Sequence, residues 1–284
     1  MKPDATRAIQ QGQVDDLTLL SDHRNPSAEG WRRLYEHRFE PLFFADWERP
    51  VFLHFAVDPE RLQPSVPFPL DLRDGKAWVT LVAFTMRGMR PGFGGRVSRW
   101  FLSPIATHPF LNVRTYVRVN GEPGIHFLTE WLPNRLAAIL GPIVFGLPYR
   151  LGALDYHHAP EDDEPLRGRI ENHGDGTALS YEAEIPVPAH FAPCPRGSID
   201  EFLLERYTAF VAWRGGLLGY FRVWHRPWPQ VRVTADVRDE GLLTHVCGAA
   251  QWAPGMTCTL AHFSPGSGDV AMGRPHFLTQ PTQS

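Results

Sequence analysis

LNVRTYVRVNGEPGIHFLTEW, residues 111–131, alternates apolar and polar side chains on both sides of a short break, as half-buried strands do. The break, Asn120-Gly121-Glu122-Pro123-Gly124, carries the residues of a hairpin connection. Leu111, Val113, Thr115, Val117 and Val119 share one face of the first strand, which groups Asn112, Arg114, Tyr116 and Arg118 on the other. On the second strand His126, Leu128 and Glu130 share a face. Symmetric closure of the loop 120–124 predicts that Arg118 opposes His126, Tyr116 opposes Leu128 and Arg114 opposes Glu130. On a wet face such an arginine–carboxylate pair is worth only about 0.2–1 kcal/mol. In an enclosed lumen it would be desolvated and would point to function. The alternation does not say which face is inside, so a solvated polar face is an equal reading at this point.

The neighbouring segments extend this strand-rich pattern. Ala77–Met86 is a nearly continuous apolar, β-branched run after the turn signal Asp74-Gly75, as in a strand covered on both faces. Arg87–Pro109 contains glycines at 88, 92, 94 and 95 and reads as a long loop, a candidate lid. Leu136–Phe145 is expected to be a helix stopped by Gly146. Strands are expected over 149–158, 166–171 and 178–187. Ser198-Ile199-Asp200-Glu201 is a capping box, and the apolar stripe Ile199, Phe202, Leu203, Tyr207 and Phe210 predicts a helix running on to Gly215-Gly216. Further strands follow over 217–224, 230–237, 242–246 and 257–263. Upstream, 38–46 reads as extended, and residues 1–30 as a flexible polar arm. The chain is thus an α+β, β-rich protein with one main domain over 31–284.

Hydrophobic residues at 43% and charged residues at 21% fit a folded protein with a sizeable core. The net charge of −3 with pI near 6.5 leaves no basic field for a polyanion, so nucleic acid is not an expected partner. The longest apolar stretch, Leu136–Tyr149, is broken by glycine and proline and is too short for a membrane span. Residues 1–30 lack the order of a signal peptide. Cys194, Cys247 and Cys258 are odd in number and unpaired in spacing. Together these features point to a cytoplasmic protein. Of the 28 basic residues only Lys2 and Lys76 are lysines. Arginine cannot supply a free amine at working pH, which leaves amine catalysis few candidates.

Arg206 falls on the apolar stripe of the predicted helix. It needs an anion, from another element or from a ligand, unless it snorkels to the rim. His157-His158 cannot both ligate one ion from a strand, and no metal or other cofactor is expected. Cys247 and His245 share a face at strand spacing, but a core cysteine accounts for them as well as a nucleophile does. The glycines at 92–95 neither follow a clear strand nor open a helix, which argues against a nucleotide cradle.

DGKAWVTLVAFTMRGMRP (74–91), LNVRTYVRVNGEPGIHF (111–127), FGLPYR (145–150), LLERY (203–207) and HRPWP (225–229), in this order, resemble the YqjF-like family of uncharacterised proteins in the acetoacetate decarboxylase-like superfamily. The resemblance covers roughly 31–263. It implies a β-barrel or cone flanked by helices, with a ligand cavity inside the sheet, and so makes Arg114, Tyr116 and Glu130 the leading site candidates. Acetoacetate decarboxylases act through a Schiff-base lysine whose pKa a neighbouring cation depresses. Gly146-Leu147-Pro148-Tyr149-Arg150-Leu151 looks like their lysine segment, with Tyr149 where the reactive lysine would stand and Arg150 where its cationic neighbour would. Lys76, in a turn, is assigned a structural role.

The first functional expectation is an internal pocket for a small oxo or carboxylic acid without Schiff-base decarboxylase chemistry. Arg114 would hold the carboxylate, with Tyr116 and Arg206 as further ligand contacts. Glu130 would serve as acid or base and Tyr149 as hydrogen-bond donor. An enzyme of this kind would be lyase-like. The alternative is a non-catalytic barrel binding an apolar small metabolite, consistent with the 12% aromatic content. An interaction module using the long loop and Trp224–Pro229 is a weaker third reading. The ligand and the oligomeric state are not written in the sequence.

Overall fold

The computed structural model describes residues 25–93, 102–158, 164–247, 252–253 and 256–278, and its strands run as one sheet that bends round to meet itself. In chain order the elements are α1 (Pro26–Leu34), β1 (Phe43–Val57), α2 (Pro59–Leu62), β2 (Ala77–Pro91), β3 (His108–Val119), β4 (Glu122–Leu132), α3 (Arg135–Phe145), β5 (Tyr149–His157), β6 (Leu166–Asn172) and β7 (Ala178–Glu184). They continue as α4 (Ile199–Leu204), β8 (Thr208–Ala212), β9 (Leu218–Trp224), β10 (Val231–Glu240), α5 (Leu242–Cys247), β11 (Leu260–Phe263), β12 (Gly266–Met272) and β13 (His276–Phe277). The sheet order is β11-β10-β7-β6-β5-β4-β3-β2-β1-β12-β9-β13, with β8 joined to β4 and β9. A further pairing of β11 with β1 closes a ring of strands.

Two cores lie on opposite faces of β1–β4. One takes Leu53, Leu81, Val113, Ile170, Leu179 and Ala261, among others, from strands all around the ring, and fills it. The other takes Phe52, Val82, Phe110 and Phe127 and is roofed by α3, α4, β8, β9 and β12. This double burial explains why β2 is almost unbrokenly apolar. The even-numbered face of β3 turns into the second core, so the cavity beside it lies between the sheet and its roof rather than inside the ring. Among the described residues no helix is long and apolar enough to cross a membrane.

The hairpin register differs from symmetric closure. The turn is the two-residue pair Asn120-Gly121, both at positive φ (50° and 80°), the geometry that matches strand twist in a tight hairpin. Arg118 therefore opposes Pro123, Tyr116 opposes Ile125 and Arg114 opposes Phe127, while a bulge between Val113 and Arg114 restores Asn112 opposite Glu130. The tight turn sets His126 opposite Thr115, on the far face, where its ring packs edge-on against Phe68. Glu130 returns to the face of Arg114.

Four other expectations are corrected. The helix opened by Ser198 is real at its start, with Glu201 N donating to Ser198 Oγ at 3.1 Å, but it ends at Leu204. The aromatic and β-branched run from Tyr207 to Val211 instead forms β8, parallel to β4 and antiparallel to β9. Arg206 thus sits in the connector rather than on a helical stripe. Residues 242–246 are helical, because Gly241 at φ 93° breaks β10 and Asp239 Oδ1 accepts from Leu243 N at 3.1 Å. Within the expected loop 87–109, β2 continues to Pro91 against β1 and β3 begins at His108. The centre of that loop, 94–101, lies outside the described residues. At the N-terminus, α1 already belongs to the fold, with Ser27 and Trp31 packed on the end of β9, while residues 1–24 of the expected arm lie outside the described residues.

Candidate functional site

The even-numbered face of β3, His108, Phe110, Asn112, Arg114 and Tyr116, runs beneath the roof. Next to it, Glu130 of β4 pairs in parallel register with Tyr149 of β5. A cavity of about 220 Å³ opens above the first half of this row. Phe84, Phe110, Phe127 and Leu140 supply apolar wall, and His108, Asn112, Glu130 and Tyr149 supply the polar atoms. A smaller void of about 20 Å³ lies beyond it, lined by Arg114, Arg206, Thr208 and His225. Trp47, Asn112, Phe127 and Val223 belong to the walls of both spaces.

Four side chains here are buried yet unsatisfied: both ring nitrogens of His108, Asn112 Oδ1, Arg114 Nε and Glu130 Oε1 have no partner among the described residues. Leaving a buried polar atom unpaired costs about 1–3 kcal/mol, and more for a charged one. His108, Asn112 and Glu130 line the larger cavity and Arg114 the smaller void that shares Asn112 with it, and unsatisfied atoms along such a pair of spaces are what a ligand's polar groups would relieve. Arg114 is 6% exposed. Its guanidinium donates to Leu203 O at 3.2 Å and lies over the Phe52 ring at 5.9 Å, but it forms no ion pair among the described residues.

Burial shifts the titratable groups along this face toward their neutral forms. Burial pushes the Glu130 carboxyl well above the usual range, against the pull of Arg114. Burial raises the Tyr149 phenol well above its usual range, and negative charge on Glu130 acts in the same direction. Burial lowers His225 to about 4, and Arg114 adds to the effect. His108 is likewise held down to about 4 by burial. The candidate site thus sets Arg114, unpaired among the described residues, beside hydrogen-bonding groups that burial shifts toward their neutral forms.

The other candidates are committed elsewhere. The Tyr116 hydroxyl is 2.7 Å from Leu203 O and 2.6 Å from Thr80 Oγ1, and Tyr116 lines neither space. It ends a polar row that crosses the sheet face under α4. Thr80 Oγ1 is 2.8 Å from His54 Nδ1, His54 Nε2 is 3.0 Å from His262 Nδ1, and His262 Nε2 is 3.0 Å from Asp200 Oδ1. Arg232 closes the row from the surface, donating to Asp200 at 2.8 Å. Burial, with the nearby charges of His262 and Arg114, depresses His54 strongly. Arg206 finds its anion in the protein: Nη1 donates to Asp71 Oδ2 at 2.9 Å, and the guanidinium lies 4.3 Å over the Phe202 ring. Its side chain still forms part of the smaller void.

Structure thus brings together Arg114, Glu130 and Tyr149, and adds His108 and Asn112. Continuing the even face of β3 back from Arg114 would have found both. Lys76 is exposed in the turn with Arg73 and lines neither space, while Lys2 lies outside the described residues. His158 Nε2 is 2.6 Å from the Tyr181 hydroxyl and His157 faces Glu164 at 3.4 Å. Cys247 Sγ donates to Leu243 O within α5.

Residues 45–268 match the model of the family DUF2071, described as an uncharacterized conserved protein. The uncharacterized protein YqjF of Bacillus subtilis (strain 168) is 28% identical over 198 residues, covering 67% of this chain and 76% of that protein. Acetoacetate decarboxylase from Legionella pneumophila superposes with a TM-score of 0.58 at 12% identity, over 84% of this chain and 87% of its own. An acetoacetate decarboxylase-like enzyme from Sphingomonas wittichii RW1 gives 0.56 at 16% identity, over 84% and 94%. The enduracididine biosynthesis enzyme MppR, solved with pyruvate, gives 0.57 at 13% identity, over 86% and 93%.

Proposed function

The chain belongs to the DUF2071 family and has an acetoacetate decarboxylase-like fold, and from that premise we propose that it binds a small oxo or carboxylic acid between α3 and the β3–β4 hairpin, without Schiff-base chemistry. The observation that carries this reading is Arg114, a buried cation with an unused Nε and no carboxylate partner, next to an apolar cavity. A ligand carboxylate would accept from Arg114 and from the protonated Glu130, two charge-assisted bonds in a dry site. The apolar walls would take the body of the ligand. Tyr149 supplies a hydroxyl in the segment that resembles the lysine segment of the decarboxylases, and the exposed position of Lys76 supports a site that works without an amine. MppR, whose fold is similar, accommodates pyruvate, itself an oxo acid.

The test is a thermal-shift and calorimetric screen of wild type and Arg114→Met against short oxo acids, aryl acids and neutral apolar compounds. Ligand at about a hundred times its dissociation constant adds roughly 2.7 kcal/mol. Acid-specific stabilisation that the variant loses is the expected result.

A second reading, a binding site for a neutral apolar metabolite, is favoured by the roughly 20 Å³ of free space at Arg114 against 220 Å³ in the apolar cavity. Binding of neutral compounds that Arg114→Met retains would establish it instead.

A further inference from the structure

The acid reading uses one end of the cavity and leaves His108 at the other without a role. His108 is 6% exposed, and neither of its ring nitrogens has a partner among the described residues. Four residues of extended strand separate it from Asn112, roughly 13 Å of chain. Aromatic rings fill the distance between these stations. Phe84 and Phe110 stack with centroids 5.5 Å apart, Trp47 adjoins Phe84 at 5.0 Å and Tyr149 adjoins Phe110 at 5.9 Å. His108 itself lies 4.6 Å from Phe110. The cavity is thus polar at both ends and aromatic between.

We propose that the ligand is an aryl compound bearing a hydroxyl at the end remote from its acid or carbonyl head, and that His108 receives that hydroxyl. The proposal rests on the reading above for the head group alone. A neutral imidazole offers one acceptor and one donor, which a phenol can meet by donating to the acceptor nitrogen. Burial keeps the ring neutral down to about pH 4, so it offers no charge to a second carboxylate. An alkyl tail would leave both nitrogens dry. At about 220 Å³ the cavity falls below the usual range for drug-sized ligands, which limits the compound to one ring with a short side chain.

Calorimetry on the full chain at pH 7.5 tests this with two matched pairs, 4-hydroxyphenylacetate against phenylacetate and 4-ethylphenol against ethylbenzene. The expected result is about tenfold tighter binding of the hydroxylated member in wild type. His108→Phe should reduce that preference below twofold while keeping the affinity for the unhydroxylated member. His108→Gln, which retains a donor and an acceptor, should keep part of the preference and serves if the phenylalanine variant fails to fold. Less than twofold preference in every pair that binds wild type, or a preference that His108→Phe retains, overturns the proposal. Acids that bind, with no hydroxyl preference in either pair, sink the role of His108 and leave the acid reading standing. Preference within the neutral pair without acid binding does the reverse, and no binding by any probe refutes both.

Discussion

Replacing Arg114 by methionine should stabilise the ligand-free protein, and this is the most demanding consequence of the site. A desolvated, unpaired cation costs several kcal/mol. Against that stand one hydrogen bond, 3.2 Å to Leu203 O, worth about 1.5–3 kcal/mol because the donor is charged, and a cation–π contact at 5.9 Å with Phe52, worth about 0.5–1 kcal/mol. Leu203 O is not orphaned by the change, since the Tyr116 hydroxyl reaches it at 2.7 Å. Glu130 is not stranded either, because burial keeps it protonated. Methionine fills the vacated length with a flexible apolar chain. The balance is a net gain of about 1–3 kcal/mol, within the range seen when buried charges give way to apolar side chains. For a domain of this size that raises the melting temperature by roughly 2–10 °C. Urea unfolding of wild type and variant at pH 7 measures the difference directly. A loss of 2 kcal/mol or more would mean that Arg114 is paid for by the fold itself, and the argument that it waits for a ligand anion would fail.

Other consequences are equally open to measurement. Because the Glu130 carboxyl is raised by burial, the unfolded chain loses this proton near pH 4.5 while the folded chain keeps it. Wild type should therefore lose stability relative to Glu130→Gln as pH rises above about 4.5, by up to 1.4 kcal/mol per unit until the folded group titrates. Parallel melting curves for the two proteins at pH 5–7 would contradict the assignment. His108, His158 and His225 are each held down to about 4. These three should work in the opposite sense, removing stability as pH falls from 6.5 to 4, and replacing His158 by phenylalanine should flatten an acid titration of the urea midpoint in that interval. Gly141 lies against the Tyr149 ring, where a Cβ would overlap its edge. Gly141→Ala should therefore push the ring into the cavity and weaken ligand binding at least tenfold, with unchanged circular dichroism. Thr80→Val keeps shape but breaks the row between Tyr116 and His54, and should cost about 2–4 kcal/mol in urea unfolding by leaving buried polar atoms unpaired.

The strand pattern of 111–131, the helix ended by Gly146 and the capping box at Ser198 were all legible, because each depends on local chemistry that the structure retains. Legibility failed where tertiary pairing decided the outcome. The stripe Ile199 to Phe210 has helical spacing, yet Thr208–Ala212 satisfies its backbone between β4 and β9, a choice that no local window contains. The hairpin register depended on the two-residue turn at Asn120-Gly121 and on a bulge at Val113/Arg114, which slides one strand by a residue and exchanges the faces of everything beyond it. Arg114 and Glu130 still reached one face. They share it by way of the bulge and the opposition of Asn112 to Glu130, rather than by opposing each other. His54, Thr80, His262 and Asp200 come from four segments far apart in sequence, so nothing in the chain announced the row that joins them.

That row supplies a means of separating scaffold from site on a single sheet face. Tyr116 and Arg206 lie beside Arg114 and have side chains of the same chemical classes as ligand contacts, but each has its demand met by the protein, Tyr116 by Thr80 and Leu203, Arg206 by Asp71. Their removal should be felt first in unfolding. His108, Asn112, Arg114 and Glu130 hold the reverse position: buried, incompletely paired and gathered around free space. Their unsatisfied atoms raise the energy of the empty protein, and a ligand that satisfies them recovers that energy as affinity. Tyr116→Phe and Arg114→Met therefore make a discriminating pair. The first should lower stability by about 1–3 kcal/mol and leave acid affinity within a few-fold, whereas the second should raise stability and abolish acid binding. If both variants moved stability and affinity in the same direction, partnered and unpartnered groups would be playing one role, and hydrogen-bond satisfaction would not distinguish scaffold from site on this sheet.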